Sequence, residues 1–310
     1  MVENAGVEKS KDDGTSRRSL FGQVGAGTMG AVALGALAAG GLAASSTPAQ
    51  AQTVTDVDIL NFALNLEYLE AEFYLYAATG QGLQAADRTL PGGGTTRSAQ
   101  GSVSPGTLVP FRSTAIAGYA QRLAVDEQNH VRFLRAVLGT AAVAEPTLDV
   151  GIGPNSAFSK LAVAAGLIVQ GQTFNPYADD ISFLLGASIF EDVGVTAYAG
   201  AARYIGNKDY LEAAAAILAV EAYHAGSIRT LLANIGAGVA FGLIANLRAV
   251  LGGGKEQGIL IPGLSYNAVA ADIESLAFRR TTSEVLNIVY GNTTATPGLF
   301  FPNGLNGNIR

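Results

Sequence analysis

Glu127-Gln-Asn-His130, inside AVDEQNHVRFL, and Glu221-Ala-Tyr-His224, inside AVEAYHAGSI, decide how this chain reads. These two segments hold both histidines of the 310-residue sequence, and each histidine closes the same four-residue pattern. Side chains three residues apart leave a helix from the same face, so each pattern aims one carboxylate and one imidazole at a common point. A single Glu-x-x-His is weak, and usually a surface pair. Two of them, on separate apolar helices, can face each other across a core.

The surrounding sequence supplies those helices. Four long segments carry helical periodicity: about Thr55 to Ala78, Phe111 to Leu138, Ala178 to Ile205 and Lys208 to Leu232. Thr55 or Asp56 caps the first and Gly139 ends the second, while the tight Gly206-Asn207 link makes the last two a close antiparallel pair. Between the first two lies Gly80 to Pro110, with Pro91-Gly-Gly-Gly94 and Pro105-Gly106, for which no regular element is expected. A crossover of roughly forty residues follows the second helix, with one short helix expected from Ser156 to Ile168. The uncharged run Thr230 to Leu247 reads as buried helix and turn. Residues 251–310 read as an extension wrapping the 52–250 bundle, with one helix candidate at Ile273 to Val289.

The first and third helices add carboxylates inside apolar runs: Glu67 in LNLEYLEAEFY and Glu191 in SIFEDVGVTAY. Ionised carboxylates buried in an apolar bundle cost too much to leave unpaired, and few side-chain cations lie near these positions. Four carboxylates and two neutral imidazoles balance two divalent ions, and an oxygen-rich set suits iron or manganese better than a soft metal. Glu70, three residues beyond Glu67, can substitute for it or act from behind it. Asp126 and Asp192 adjoin ligand positions but point about 100° away, as partners of the ligands or toward solvent. Arg122, Arg132 and Arg135 read as pairing with surface acids rather than binding phosphate.

In these motifs the chain resembles the ferritin-like di-metal carboxylate proteins, and within them the exported bacterial subgroup related to plant desiccation-related proteins. The resemblance covers about residues 55 to 235 and implies an all-α fold, a ferritin-like four-helix bundle with one long crossover. It also implies the ligand set Glu67, Glu127, His130, Glu191, Glu221 and His224, with Glu127 and Glu221 bridging the two metals and Glu67 and Glu191 terminal. Tyr74 follows Glu67 by seven residues and Tyr198 follows Glu191 by seven. Both could bond a ligand carboxylate or carry an electron; equally, both could be ordinary core tyrosines.

Composition limits the alternatives. Hydrophobic residues make up 49% and charged residues 14%, against a disordered chain. A net charge of −6 gives nucleic-acid binding no electrostatic support, and with no Cys there is neither disulfide nor thiolate metal site. Arg17-Arg18 in SRRSLF, the uncharged stretch Leu20 to Ala44 and Ala49-Gln50-Ala51 have the layout of a twin-arginine signal peptide over residues 1–51. A bacterial protein exported to the periplasm or cell envelope is expected, starting near Gln52 and without a permanent membrane anchor. The expected function is a di-metal protein reacting with dioxygen or peroxide in oxidative or desiccation stress, ferroxidase-like or manganese-catalase-like. The alternative is a non-enzymatic stress protein braced by its metals. A homo-oligomer is compatible with either, and a closed storage cage is disfavoured by the long insertions.

Overall fold

The computed structural model describes residues 54–89, 99–260 and 266–310; the expected signal peptide and the Pro91-Gly-Gly-Gly94 loop lie outside them. Helix α1 (Asp56–Thr79) opens with a capping box, in which Thr55 Oγ1 accepts from Asp58 N at 3.2 Å and Thr55 N donates back to Asp58 Oδ2 at 2.8 Å. It stops at Gly80, whose φ of +75° suits a residue without Cβ. Most of its length is buried on every side, the mark of a helix at the centre of the molecule rather than on its surface.

Against α1 packs α3 (Thr114–Leu138), reached through a short helix α2 (Ala85–Arg88) and a two-residue strand β1 (Val103–Ser104). The pair is antiparallel: Asn61 near the start of α1 donates to Ala141 O beyond the end of α3, while Val109 N before α3 donates to Ala77 O. The crossover holds β2 (Leu148–Asp149), parallel to β1 in the register Val103–Leu148, then α4 (Ala157–Ala165) and α5 (Asp180–Ala187). Next come α6 (Glu191–Ala201) and α7 (Lys208–Asn234), the second packed pair, with Asn207 capping α7. Asp56 accepts from Gly206 N and Asn207 N, which ties the start of α1 to the turn between them.

Two further helices follow, α8 (Gly238–Leu251) and α9 (Thr282–Tyr290). The tail then returns to the bundle. Phe300 stacks edge-on with Phe158 and Phe190, which with Phe73 and Phe183 form one aromatic core. Asn306 exchanges hydrogen bonds with Asn65 of α1, whose side chain is fully buried.

The fold is all-α as expected, but four local expectations are corrected. The third long helix is interrupted at Ser188–Phe190, where Ser188 Oγ turns back to Leu185 O and the amides of Ile189 and Phe190 reach only three residues back. The Ser188 carbonyl is taken instead by Arg248 of α8. The second helix starts at Thr114 because Asp180 accepts from Arg112 N and Ser113 N, holding that strand of chain outside the helix. The stretch 80–110 contains α2 and β1. Residues 272–277 form a turn around the Asp272 carboxylate, with Ile273 95% exposed, so the last helix begins only where Thr281 and Glu284 make a capping box.

Candidate metal centre

The break before α6 and the two long hairpins bring the six side chains together. Glu67 projects from the middle of α1, Glu127 and His130 from α3, Glu191 from the first turn of α6, and Glu221 and His224 from α7. Four of them have no solvent exposure beyond 1% and the histidines no more than 9%. They form two overlapping groups: Glu67, Glu127, His130 and Glu221; and Glu127, Glu191, Glu221 and His224, each offering ligand atoms within 4.8 Å of one another. Glu127 and Glu221 belong to both.

His130 Nδ1 stands 3.2 Å from Glu67 Oε2, 3.0 Å from Glu127 Oε2 and 3.7 Å from Glu221 Oε1. His224 Nδ1 stands 3.1 Å from Glu127 Oε1 and 3.2 Å from Glu191 Oε2. The two imidazoles lie 6.5 Å apart, centre to centre. These distances are short, yet Glu127 Oε1, Glu191 Oε2, both Glu221 oxygens and His224 Nδ1 are buried without a well-aligned hydrogen bond among the described residues. Buried polar atoms are rarely left so. Lone pairs that converge without donors between them fit a bound metal cation, and carboxylate oxygen with imidazole nitrogen is a donor set suited to transition metals.

The electrostatics agree. Burial alone would lower both imidazoles, but the charge of Glu67 on His130 and of Glu191 on His224, with the Glu127 carboxylate beside both, raises each to about 11. Burial drives Glu127 up to about 7 and Glu221 well above the carboxylate range, the latter helped by the charges of Glu70 and Glu127. Glu67 goes the other way: burial would raise it, and the facing His130 charge holds it below its ordinary value. The cluster therefore carries more negative potential than two histidines can neutralise, and a divalent ion binding here displaces imidazole protons.

Tyr74 on α1 donates to Glu191 Oε1 at 2.5 Å, and Tyr198 on α6 donates to Glu67 Oε1. The exchange is reciprocal across the two hairpins, so the tyrosines bond ligand carboxylates rather than filling core space alone. Burial and the adjoining carboxylates push both phenols well above 10. Glu70 is buried beside the cluster, where burial and the charges of Glu191 and Glu127 raise it well above the carboxylate range. It belongs to neither four-residue group, so it does not take Glu67's place.

Other neighbours divide as follows. Asp126 Oδ2 lies 3.2 Å from His224 Nε2 and is paired with Arg122. Asp192 is buried with Arg229 at 2.8 Å and Arg248 at 2.8 Å, and these guanidinium groups hold it below its ordinary value against the effect of burial. Arg132 pairs with the buried Asp87, but Arg135 corrects the expectation of a surface acid: it donates to Tyr68 Oη and Thr89 O. Two contributors were not picked out from the residues alone. Gly194, three residues after Glu191, leaves no room for a side chain: a Cβ there would sit 2.1 Å from Glu221 Oε2. Arg248 brackets Glu191 by bonding Ser188 O and Asp192 Oδ2. A glycine inside the apolar SIFEDVGVTAY run was the available signal for the first; nothing local signalled the second.

Comparison with known proteins agrees with this geometry. A ferritin-like domain model matches residues 55–234. A protein named ferritin-like catalase Nec2 from Nesocodon mauritianus is 30% identical over 275 residues, covering 82% of this chain and 84% of its own. The desiccation-related protein PCC13-62 from Craterostigma plantagineum is 32% identical over 272 residues, covering 80% of this chain and 82% of its own. Family and buried cluster together fit a metal-binding protein related to stress and desiccation proteins.

Proposed function

From the premise that this chain belongs to the ferritin-like domain family, we propose that it is a di-metal redox protein taking peroxide or dioxygen as its small substrate. The observation that carries the reading is the pair of overlapping ligand groups sharing Glu127 and Glu221. Glu67 and His130 complete one metal position and Glu191 and His224 the other. Two adjacent iron or manganese ions would supply a shared two-electron couple to both oxygens of a peroxide. The chain's own residues do the rest. Six ligands fix the positions from four helices, Tyr74 and Tyr198 lock the terminal carboxylates in orientation, and the Phe73 and Phe300 core keeps the surroundings apolar. Glu70, buried beside the site, is the carboxyl group there outside the two ligand groups, and it can carry a proton to a reduced oxygen.

Peroxide disproportionation, two peroxides to two waters and dioxygen, is favoured over ferrous oxidation by the relative named a ferritin-like catalase. Loading the protein with manganese or with iron and assaying both reactions decides. Bound metal with catalase turnover supports the reading; metal well below one ion per chain with neither activity ends it. The bracing alternative draws on the contacts of α8 and the tail with the bundle, and requires metal to raise the melting temperature substantially with no turnover.

Export belongs to the same reading. The Arg17-Arg18 pair and the following uncharged stretch support twin-arginine delivery of a bacterial protein to the periplasm or envelope in a folded state, metal already chosen. Replacing both arginines by lysine is expected to keep the protein in the cytoplasm, and unchanged export would refute that route. Among the described residues, the long apolar helical stretch Asp180–Tyr204 is mostly buried within the protein, as a core segment is.

A further inference from the structure

The two halves of the cluster match in almost every respect. Each has a terminal glutamate, a tyrosine from the opposite hairpin bonding that glutamate, and a Glu-x-x-His pattern. They differ at the outer nitrogen of the imidazole. His224 Nε2 is 3.2 Å from Asp126 Oδ2, and Asp126 is 9% exposed. Among the described residues, His130 finds bonding partners only at Nδ1, which faces the cluster. The residue preceding Glu127 is the aspartate; the residue preceding Glu221 in the repeated pattern is Val220, which has no acceptor. The asymmetry is therefore written into one position of an otherwise doubled motif.

We propose that Asp126 makes the two metal positions unequal, so that the His224 half, with Glu191, binds its ion more tightly and fills first. This rests on the di-metal reading above. A carboxylate accepting from the far N–H of a metal-bound imidazole fixes the tautomer, orients the ring and increases the donor strength of the ligating nitrogen. Here it holds Nδ1 as the lone-pair nitrogen, the atom that faces Glu127 and Glu191. Arg122, whose side chain is 68% exposed, keeps Asp126 oriented from the surface through a 2.6 Å ion pair but touches no ligand. Asp126 is thus a positioning residue, acting through His224. His130 has no such support and forms the weaker, second position.

Removing such a partner typically costs about 10- to 100-fold in metal affinity. The test is a titration of the full chain with Mn2+ alone, followed by calorimetry and by electron paramagnetic resonance, which separates isolated from paired ions. The native protein is expected to fill in two steps, an isolated-ion signal preceding a coupled one. In Asp126→Asn, which keeps size and an acceptor oxygen but loses the charge, the tight step weakens about 10-fold or more and the weak step stays. His130→Gln retains the tight step; His224→Gln loses it. Retention of the tight step in His224→Gln, or two indistinguishable native steps, overturns the inference while leaving a di-metal site standing. Absence of Mn2+ binding by the native chain overturns the di-metal reading and this inference with it.

Discussion

Substituting Gly194 by alanine adds one methyl group at the place where the centre has no space for it. The new Cβ would stand 2.1 Å from Glu221 Oε2 and 3.0 Å from its Cδ, so the carboxylate must withdraw by roughly 1 Å or more to restore ordinary contact. Glu221 has no exposure and belongs to both ligand groups, so it cannot step aside without leaving both. Overpacking of this kind costs about 1–3 kcal/mol, partly offset by the roughly 0.5–1 kcal/mol that alanine gains over glycine inside a helix. The metal-free protein should therefore lose about 1 kcal/mol, and both metal positions at least about tenfold in affinity. Gly118 on α3 is the control, since a Cβ there meets nothing within 4 Å. Gly118→Ala should gain about 0.5–1 kcal/mol, or about 1–4 °C in melting temperature, with metal binding untouched. Urea denaturation of metal-free protein and Mn2+ titration read the two effects separately. Native affinity in Gly194→Ala would refute the placement of Glu221 between the two positions.

Other outcomes follow from the same packing. Glu145 is fully buried against Glu72 and Arg88, and burial with the Glu72 hydrogen bond raises it from 4.5 to about 9. The folded chain thus keeps a proton that the unfolded chain has released, so stability should fall as pH rises from about 4.5 toward 9; denaturation of Glu145→Gln across that range should show the fall flattened. Tyr74→Phe and Tyr198→Phe each remove a buried hydrogen bond to a carboxylate and should cost about 1.5–3 kcal/mol by urea denaturation. Asp192→Ala leaves Arg229, Arg248 and Arg280 with Glu256 as the remaining buried acid of their network, and a loss of about 3–5 kcal/mol by denaturation is expected, with weaker metal binding through Glu191.

The centre was legible because its information is local and repeated. Glu127 with His130, and Glu221 with His224, share a face by helical period alone, and Glu67 and Glu191 are conspicuous because a carboxylate in an apolar run needs a partner. The reciprocal tyrosines were visible as a matched seven-residue spacing, though their crossing between hairpins was not. What escaped reading depends on distant residues. The break at Ser188–Phe190 is completed by Arg248, sixty residues on. The late start of α3 is set by Asp180, and that of α9 by the Asp272 turn and the Thr281 cap. Gly194 draws no notice in the sequence, and its missing Cβ leaves the space that the Glu221 carboxylate fills. Asp126 could be read as facing solvent or a ligand, and only the placement of α7 opposite α3 selects His224.

Metal content of the loaded chain tests the central claim most directly. Equilibrated with Mn2+ or Fe2+ and freed of excess ion, native protein is expected to retain two ions per chain, and a variant carrying Glu127→Gln with Glu221→Gln to retain none while keeping its helical circular dichroism. Native protein holding less than one ion, or the double variant holding as many as the native, would contradict it.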